Sequence, residues 1–140
     1  MPMHARPPAS FVDTLLSPAA SLVRRSVDVS LLSSLVASGH SDHVLRLWDA
    51  RAPQAAQLSL RHRGGWVSGV AWSRHRAQLL ASACHDGTVR LWDTRSTVPL
   101  HELPPHADKA LCVAWDGAER LLSGGADGEL RTLQLRLPAQ

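Results

Sequence analysis

The tryptophans of this chain recur at a fixed interval, and that interval narrows the available folds more than any other feature. Trp48 and Trp92 lie 44 residues apart, and Trp72 and Trp115 lie 43 apart. Other aromatic residues are scarce, with five Trp against one Phe and no Tyr. Self-similarity at about 40 to 45 residues marks stacked repeats, each too small to bury its own apolar face.

Three segments superpose without gaps. The first is Val36-Ala-Ser-Gly-His-Ser-Asp-His-Val-Leu-Arg-Leu-Trp-Asp-Ala-Arg51. The second is Leu80-Ala-Ser-Ala-Cys-His-Asp-Gly-Thr-Val-Arg-Leu-Trp-Asp-Thr-Arg95, and the two agree at 8 of 16 positions. Leu121-Leu-Ser-Gly-Gly-Ala-Asp-Gly-Glu-Leu-Arg-Thr-Leu133 continues the register 41 residues on. Each unit reads as strands. A small, apolar stretch precedes Asp42, Asp86 and Asp127, and an apolar or β-branched one follows. Asp86-Gly87 and Asp127-Gly128 are hairpin dipeptides, since Gly supplies positive φ and Asp bonds the turn backbone. Val67–Ser73 and Ala110–Trp115 supply inner strands, with Val27–Leu31 as a shortened counterpart in the first unit. Gln57–Leu60 and Pro99–Leu103 supply outer ones. Four short strands per repeat build a propeller blade.

These units resemble WD repeats, through Trp48-Asp49 and Trp92-Asp93. The resemblance implies an all-β chain, a partial WD-repeat β-propeller with about three blades of an expected seven, not closed. The repeats are assigned to residues 27–60, 61–103 and 104–137, with 138–140 as a tail and 1–26 as a disordered or non-native segment rich in Pro, Ala and Ser. In this family a polar tetrad links a loop His, a Ser on the second strand, the turn Asp and the third-strand Trp. Carried over, it comprises His62, Ser82, Asp86 and Trp92 in the middle repeat. The third repeat offers His106, Ser123 and Asp127, with Leu133 in place of Trp. The first offers Ser38, Asp42 and Trp48 and lacks the His. A buried carboxylate is tolerable only when hydrogen-bonded, so Asp86 is expected beside buried Trp92 and Ser82.

The composition excludes several classes. A hydrophobic share of 44% with 19% charged residues is that of a folded domain. No apolar run approaches the ~20 residues of a membrane-spanning helix, and no membrane partner is expected. Two cysteines, Cys84 and Cys112, make no disulfide framework, so a reducing compartment is the default. The N-terminus has no leader pattern, so secretion is not expected. Gly39-His-Ser-Asp-His43 matches a hydrolase nucleophile elbow for three residues but leads into a strand, where that motif needs a helix. His40 and His43 have helical metal-ligand spacing, which does not converge in a hairpin. The chain is therefore expected to be no enzyme, with no catalytic or metal residues, no cofactor and no small-molecule substrate.

The net charge is +3 and the arginines dominate it, with Lys109 the one lysine. In a propeller, the loops after the first and third strands open on one face. Arg74, Arg76 and Arg120 fall in the first loop type, and Arg51 and Arg95 in the second. They are the candidate partner-binding residues, since the guanidinium fork suits phosphate or carboxylate. The plainer alternative is that Arg51 and Arg95 pair with Asp49 and Asp93 in their own blades.

Gly65-Trp-Val-Ser-Gly-Val-Ala-Trp-Ser73, Leu91-Trp-Asp-Thr-Arg-Ser96, Ala107-Asp-Lys-Ala-Leu-Cys-Val-Ala-Trp115 and Leu121-Leu-Ser-Gly-Gly-Ala-Asp127 are similar to the final repeats of the Ytm family. That family supplies the WD-repeat subunit of the Pescadillo–Bop complex. The resemblance implies a non-catalytic scaffold in large ribosomal subunit biogenesis, serving pre-rRNA processing and pre-60S assembly. It implies Pescadillo- and Bop-type partners, rRNA as a further candidate contact, and a nuclear location in nucleolus and nucleoplasm. The family's N-terminal ubiquitin-like domain has no counterpart in this sequence. An alternative uses Trp48-Asp-Ala-Arg51 and Trp92-Asp-Thr-Arg95 as the paired WDxR pattern of cullin-4 ubiquitin ligase substrate receptors.

Overall fold

The computed structural model of the protein describes residues 24–52 and 56–136. Among the described residues there are eleven strands in three antiparallel sheets and no helix. The first sheet runs β1 (Arg24–Val29), β2 (Leu35–His40), β3 (Val44–Asp49) and β4 (Leu58–Arg61), paired in that order. The second repeats the plan with β5 (Val67–Trp72), β6 (Leu79–Cys84), β7 (Val89–Asp93) and β8 (Pro99–Glu102). The third has β9 (Ala110–Asp116), β10 (Arg120–Gly125) and β11 (Leu130–Gln134). These are the blades of an unclosed propeller, with β1, β5 and β9 as inner strands.

β1 begins inside the segment that the sequence reading assigned to a disordered N-terminus, at Arg24. It ends two residues before the expected Leu31. Its backbone pairs from Arg24↔His40 to Val29↔Val36, with a bulge between Arg24 and Ser26. It stops after Val29 because the Ser30 hydroxyl accepts the amides of Leu32 and Ser33, both at 3.2 Å, and turns the chain. Residues 1–23 and 137–140, where the rest of that segment and the tail fall, lie outside the described residues.

Burial follows from stacking. Strand residues alternate between faces, so one strand feeds two layers. Leu80 and Trp92 join Leu45, Leu47 and Leu60 of the first blade in one apolar layer. Ala81, Ala83 and Leu91 join Ala110 and Leu121 of the third blade in the other. β6, covered on both faces, is buried throughout. β11 is covered on one face only, and Leu130 on the other is 75% exposed.

The blades are also stitched by side chains. The Trp72 indole donates to the Asp28 carbonyl at 3.1 Å, and the Trp115 indole to the Ala71 carbonyl at 2.9 Å. Each tryptophan thus reaches back to the inner strand of the preceding blade. The Asp28 carboxylate also accepts the Trp72 backbone amide at 2.8 Å, and Ser68 Oγ donates to the Ala110 carbonyl at 2.6 Å. Gly39 is required by this closeness, since a Cβ there would stand 2.7 Å from the Val67 carbonyl oxygen.

Candidate functional site

The middle blade assembles its polar network around Ser82, which is fully buried. His62, from the loop before β5, approaches Ser82 Oγ through Nε2 at 2.7 Å, and the Trp92 indole donates to the same oxygen at 2.8 Å. One hydroxyl can serve both rings because it donates once and accepts twice. The rings meet edge to face with centroids 6.0 Å apart. Burial first, and then the Arg90 charge, lower the His62 pKa to about 4, so its ring is neutral near pH 7.

Asp86 departs from the expected arrangement. It lies exposed at the rim and reaches His62 through Thr88. His62 Nδ1 meets Thr88 Oγ1 at 3.0 Å, and that hydroxyl donates to Asp86 Oδ1 at 2.5 Å. An exposed hairpin tip keeps its carboxylate hydrated, so the network closes through a hydroxyl. In the third blade Glu129 takes the Thr88 position, and His106 Nδ1 meets both Asp127 oxygens directly at 3.1 Å. His106 Nε2 contacts Ser123 Oγ at 2.8 Å. A Cβ at Gly125 would collide with the His106 ring, so the loop histidine enters only because this strand position is small.

The first blade fills that same position with a histidine. His40 aligns with Cys84 and Gly125, and its Nε2 stands 2.7 Å from Ser38 Oγ, to which the Trp48 indole donates at 2.9 Å. The histidine that the sequence reading found missing is thus supplied from β2 itself. Asp42 turns instead to Arg46, with bonds of 3.2 and 2.8 Å. His40, Thr88, Trp72 and Trp115 are the residues that sequence reasoning missed as network members. For the two tryptophans the signal was present, since their 43-residue spacing had been read only as a period.

These networks bear on metal binding as well. Ligand atoms of His62, Cys84 and Asp86 lie within 4.8 Å of one another, as do those of His106, Asp127 and Glu129. Both His62 nitrogens already serve hydroxyls, and burial pushes the Cys84 thiol up to about 12. Ligation at the first trio would therefore break the tetrad, and its chemistry is structural.

The five candidate arginines do not form a uniform free rim. Arg51 Nε and Nη2 clasp Asp49 at 3.1 and 2.9 Å, and Arg95 clasps Asp93 at 2.9 and 2.5 Å. The guanidiniums hold both carboxyl groups well below the usual range. This is the local pairing posed as the plainer alternative, favoured because two residues along the same turn bring the fork onto the carboxylate. It also engages both arginines of the WDxR pattern. Arg120 pairs with Asp116. Arg74 and Arg76 lie in the loop between β5 and β6, whose amides at His75 and Arg76 are held by Ser73 Oγ at 3.1 Å. Arg74 borders an open groove of about 550 Å³ floored by Val27, Val70 and Val113 of three successive inner strands. Trp66 stacks on His85 at the opposite end of the sheets, with centroids 6.0 Å apart.

Comparison with known proteins places this architecture. The profile of the WD domain, G-beta repeat, matches residues 12–49, 56–93 and 97–132. The chain is 46% identical over 104 residues to a ribosome biogenesis protein WDR12 homolog of Nematostella vectensis, covering 72% of this chain and 25% of that protein. Against the WDR12 homolog of Chlamydomonas reinhardtii it is 44% identical over 108 residues, covering 70% and 24%. Against that of Arabidopsis thaliana the figures are 40% over 101 residues, 71% and 23%. The chain spans about a quarter of the length of these relatives. Each of these relatives is named as a ribosome biogenesis protein, and none is named as a ligase receptor. With three matched repeats folded as successive blades, the chain belongs to the WD-repeat family.

Proposed function

We propose that this chain is the C-terminal arc of a WD-repeat scaffold for large ribosomal subunit biogenesis, acting by binding and not by catalysis. The observation that carries the reading is its 46% identity to a ribosome biogenesis protein across nearly three quarters of its length. Pescadillo- and Bop-type proteins are the proposed partners, in nucleolus and nucleoplasm, with pre-rRNA processing and pre-60S assembly as the task. Rigid stacked sheets and paired surface charges suit such a role, since a propeller presents loops from several blades to one partner.

The proposed contact is the loop carrying Arg74 and Arg76, with Arg51, Arg95 and Arg120 contributing only the donors their carboxylates leave over. Phosphate contacts by such arginines would make binding salt-dependent. The test is sedimentation of the tagged protein with large-subunit precursor particles. Wild type should co-sediment, and the double variant Arg74→Glu with Arg76→Glu should move to the free fractions while keeping its thermal melt. A variant that still co-sediments at moderate salt overturns the arginine contact. Wild-type protein that never enters the particles overturns the ribosomal reading.

A further inference from the structure

Two hairpin loops at one end of the sheets are built to one plan. Ser30 follows β1 and Ser73 follows β5, 43 residues apart. Both serines are buried, and each hydroxyl accepts the backbone amides two and three residues on, at 3.2 Å in the first loop and 3.1 Å in the second. The shared turn fixes the residues that follow it. Leu31 and Leu32 of the first blade therefore stand where Arg74 and His75 stand in the second. The strand ends are tied together by the Asp28 carboxylate, which accepts the Trp72 amide at 2.8 Å, so the two tips emerge side by side. Leu31 is 72% exposed and Leu32 47%. That exposure belongs to the position within a blade. Arg74 and His75 are exposed as well, in a blade packed on both faces by its neighbours. Among the described residues Arg51, Arg95 and Arg120 pair with carboxylates, whereas Arg74 and Arg76 have no ion-pair partner.

We propose that the Leu31–Leu32 tip and the Arg74–Arg76 tip form one docking surface for a protein segment that carries carboxylates beside apolar side chains. This rests on the reading of Arg74 and Arg76 as the contact, and it names the class of partner. Three observations favour protein over nucleic acid. Two adjacent leucines gain by leaving water, and a phosphate backbone offers them no apolar surface to leave it against. The guanidinium fork grips a carboxylate through two parallel hydrogen bonds, so the arginines need no phosphate. The corresponding third loop, after β9, carries Glu119 and the Asp116–Arg120 pair. Positive charge therefore does not continue from blade to blade, as a phosphate chain following the loops would require.

A capped peptide of repeated Glu-Leu-Leu-Glu, its Glu-Ser-Ser-Glu counterpart and oligouridylate, each titrated calorimetrically into the 140-residue chain, test the proposal. The leucine peptide should bind wild type, and bind Leu31→Ser with Leu32→Ser about ten-fold more weakly through the lost leucine burial. The serine peptide should not distinguish those two proteins. Arg74→Glu with Arg76→Glu should remove binding of both peptides. This pattern ties binding to the loop tips, since attachment to a sheet face would ignore both variants. No binding of the leucine peptide, or binding that ignores the leucine variant, overturns the surface. Oligouridylate binding that is tighter than the peptide's and lost in the arginine variant overturns it too, in favour of a phosphate contact. If the double leucine variant loses its wild-type melt, Leu31→Gln alone carries the same test. Sedimentation separates this surface from the ribosomal reading. The leucine variant should leave large-subunit precursor particles as the arginine variant does. Co-sedimentation like wild type would overturn the surface and leave the ribosomal reading standing. The expected peptide pattern in a wild type that never enters the particles supports the surface and overturns the ribosomal reading alone.

Discussion

The first and second blades agree at 8 of 16 aligned positions yet build the same serine-centred network from different histidines. In the second, His62 enters from a loop and the strand position beside it is Cys84. In the first, that strand position is His40, which serves Ser38 directly. What the repeat preserves is the Ser–Trp bond and one imidazole against the serine, and the ring has two routes of entry. The difference teaches that a tetrad is a set of filled positions in space, which one residue type can reach from either of two backbone sites.

The largest expected effect separates the two tryptophans. Trp92→Ala should destabilise the chain by roughly 3–5 kcal/mol through the cavity it opens, read by urea denaturation. Trp48→Ala should cost less, because Trp48 belongs to neither of the inter-blade apolar layers. Equal losses would erase the distinction.

His62 makes the second blade's network sensitive to acid. The folded pKa of His62 is lowered to about 4, while an unfolded histidine titrates near 6.5. Above about pH 6.5 both states are neutral and the stability is whole. As the pH falls toward 4 the unfolded chain takes up a proton that the folded one refuses, and up to roughly 3 kcal/mol is lost. His62→Gln should flatten the urea midpoint across that window. A slope that persists unchanged would place the titrating group elsewhere.

The smallest effect lies in the hairpins. Gly87 and Gly128 take φ of 92° and 81°, and the first blade places His43 at the same point with φ of 59°. His43→Gly should stabilise by about 0.5–1 kcal/mol, the left-handed penalty less the added freedom of the unfolded glycine. Gly87→Ala should destabilise, with its Cβ 2.8 Å from the His106 carbonyl oxygen. A neutral pair of results would show that the hairpins yield without strain.

Much of this was legible in the sequence. The period set the sheets, and Asp-Gly dipeptides set the second and third hairpins, because turn geometry depends on local residues. The resemblance to WD repeats joined Ser82 and Trp92, and the register, with Ser82 opposite Arg90 and Leu80 opposite Trp92, makes them diagonal neighbours. His40 could not be placed in this way, because a strand residue aligned with Cys and Gly reads as a place for small side chains. Nor could Thr88, whose role appears only once the hairpin tip is seen to expose Asp86. The arginines needed coordinates too. Residue type named both a free rim and local pairs, and only the turn at Asp49 and Asp93 decides for the pairs.

The indoles of Trp72 and Trp115 point in one direction along the chain. Each later blade carries the donor, and each earlier blade presents the waiting carbonyl. A blade leaving the ribosome can therefore lock onto the one already made, with no need of the one still to be translated. Ser68 donates the other way across the seam between the second and third blades, so that seam closes only when both are present. A fault in one blade withholds the platform from the next, while the blades before it keep theirs.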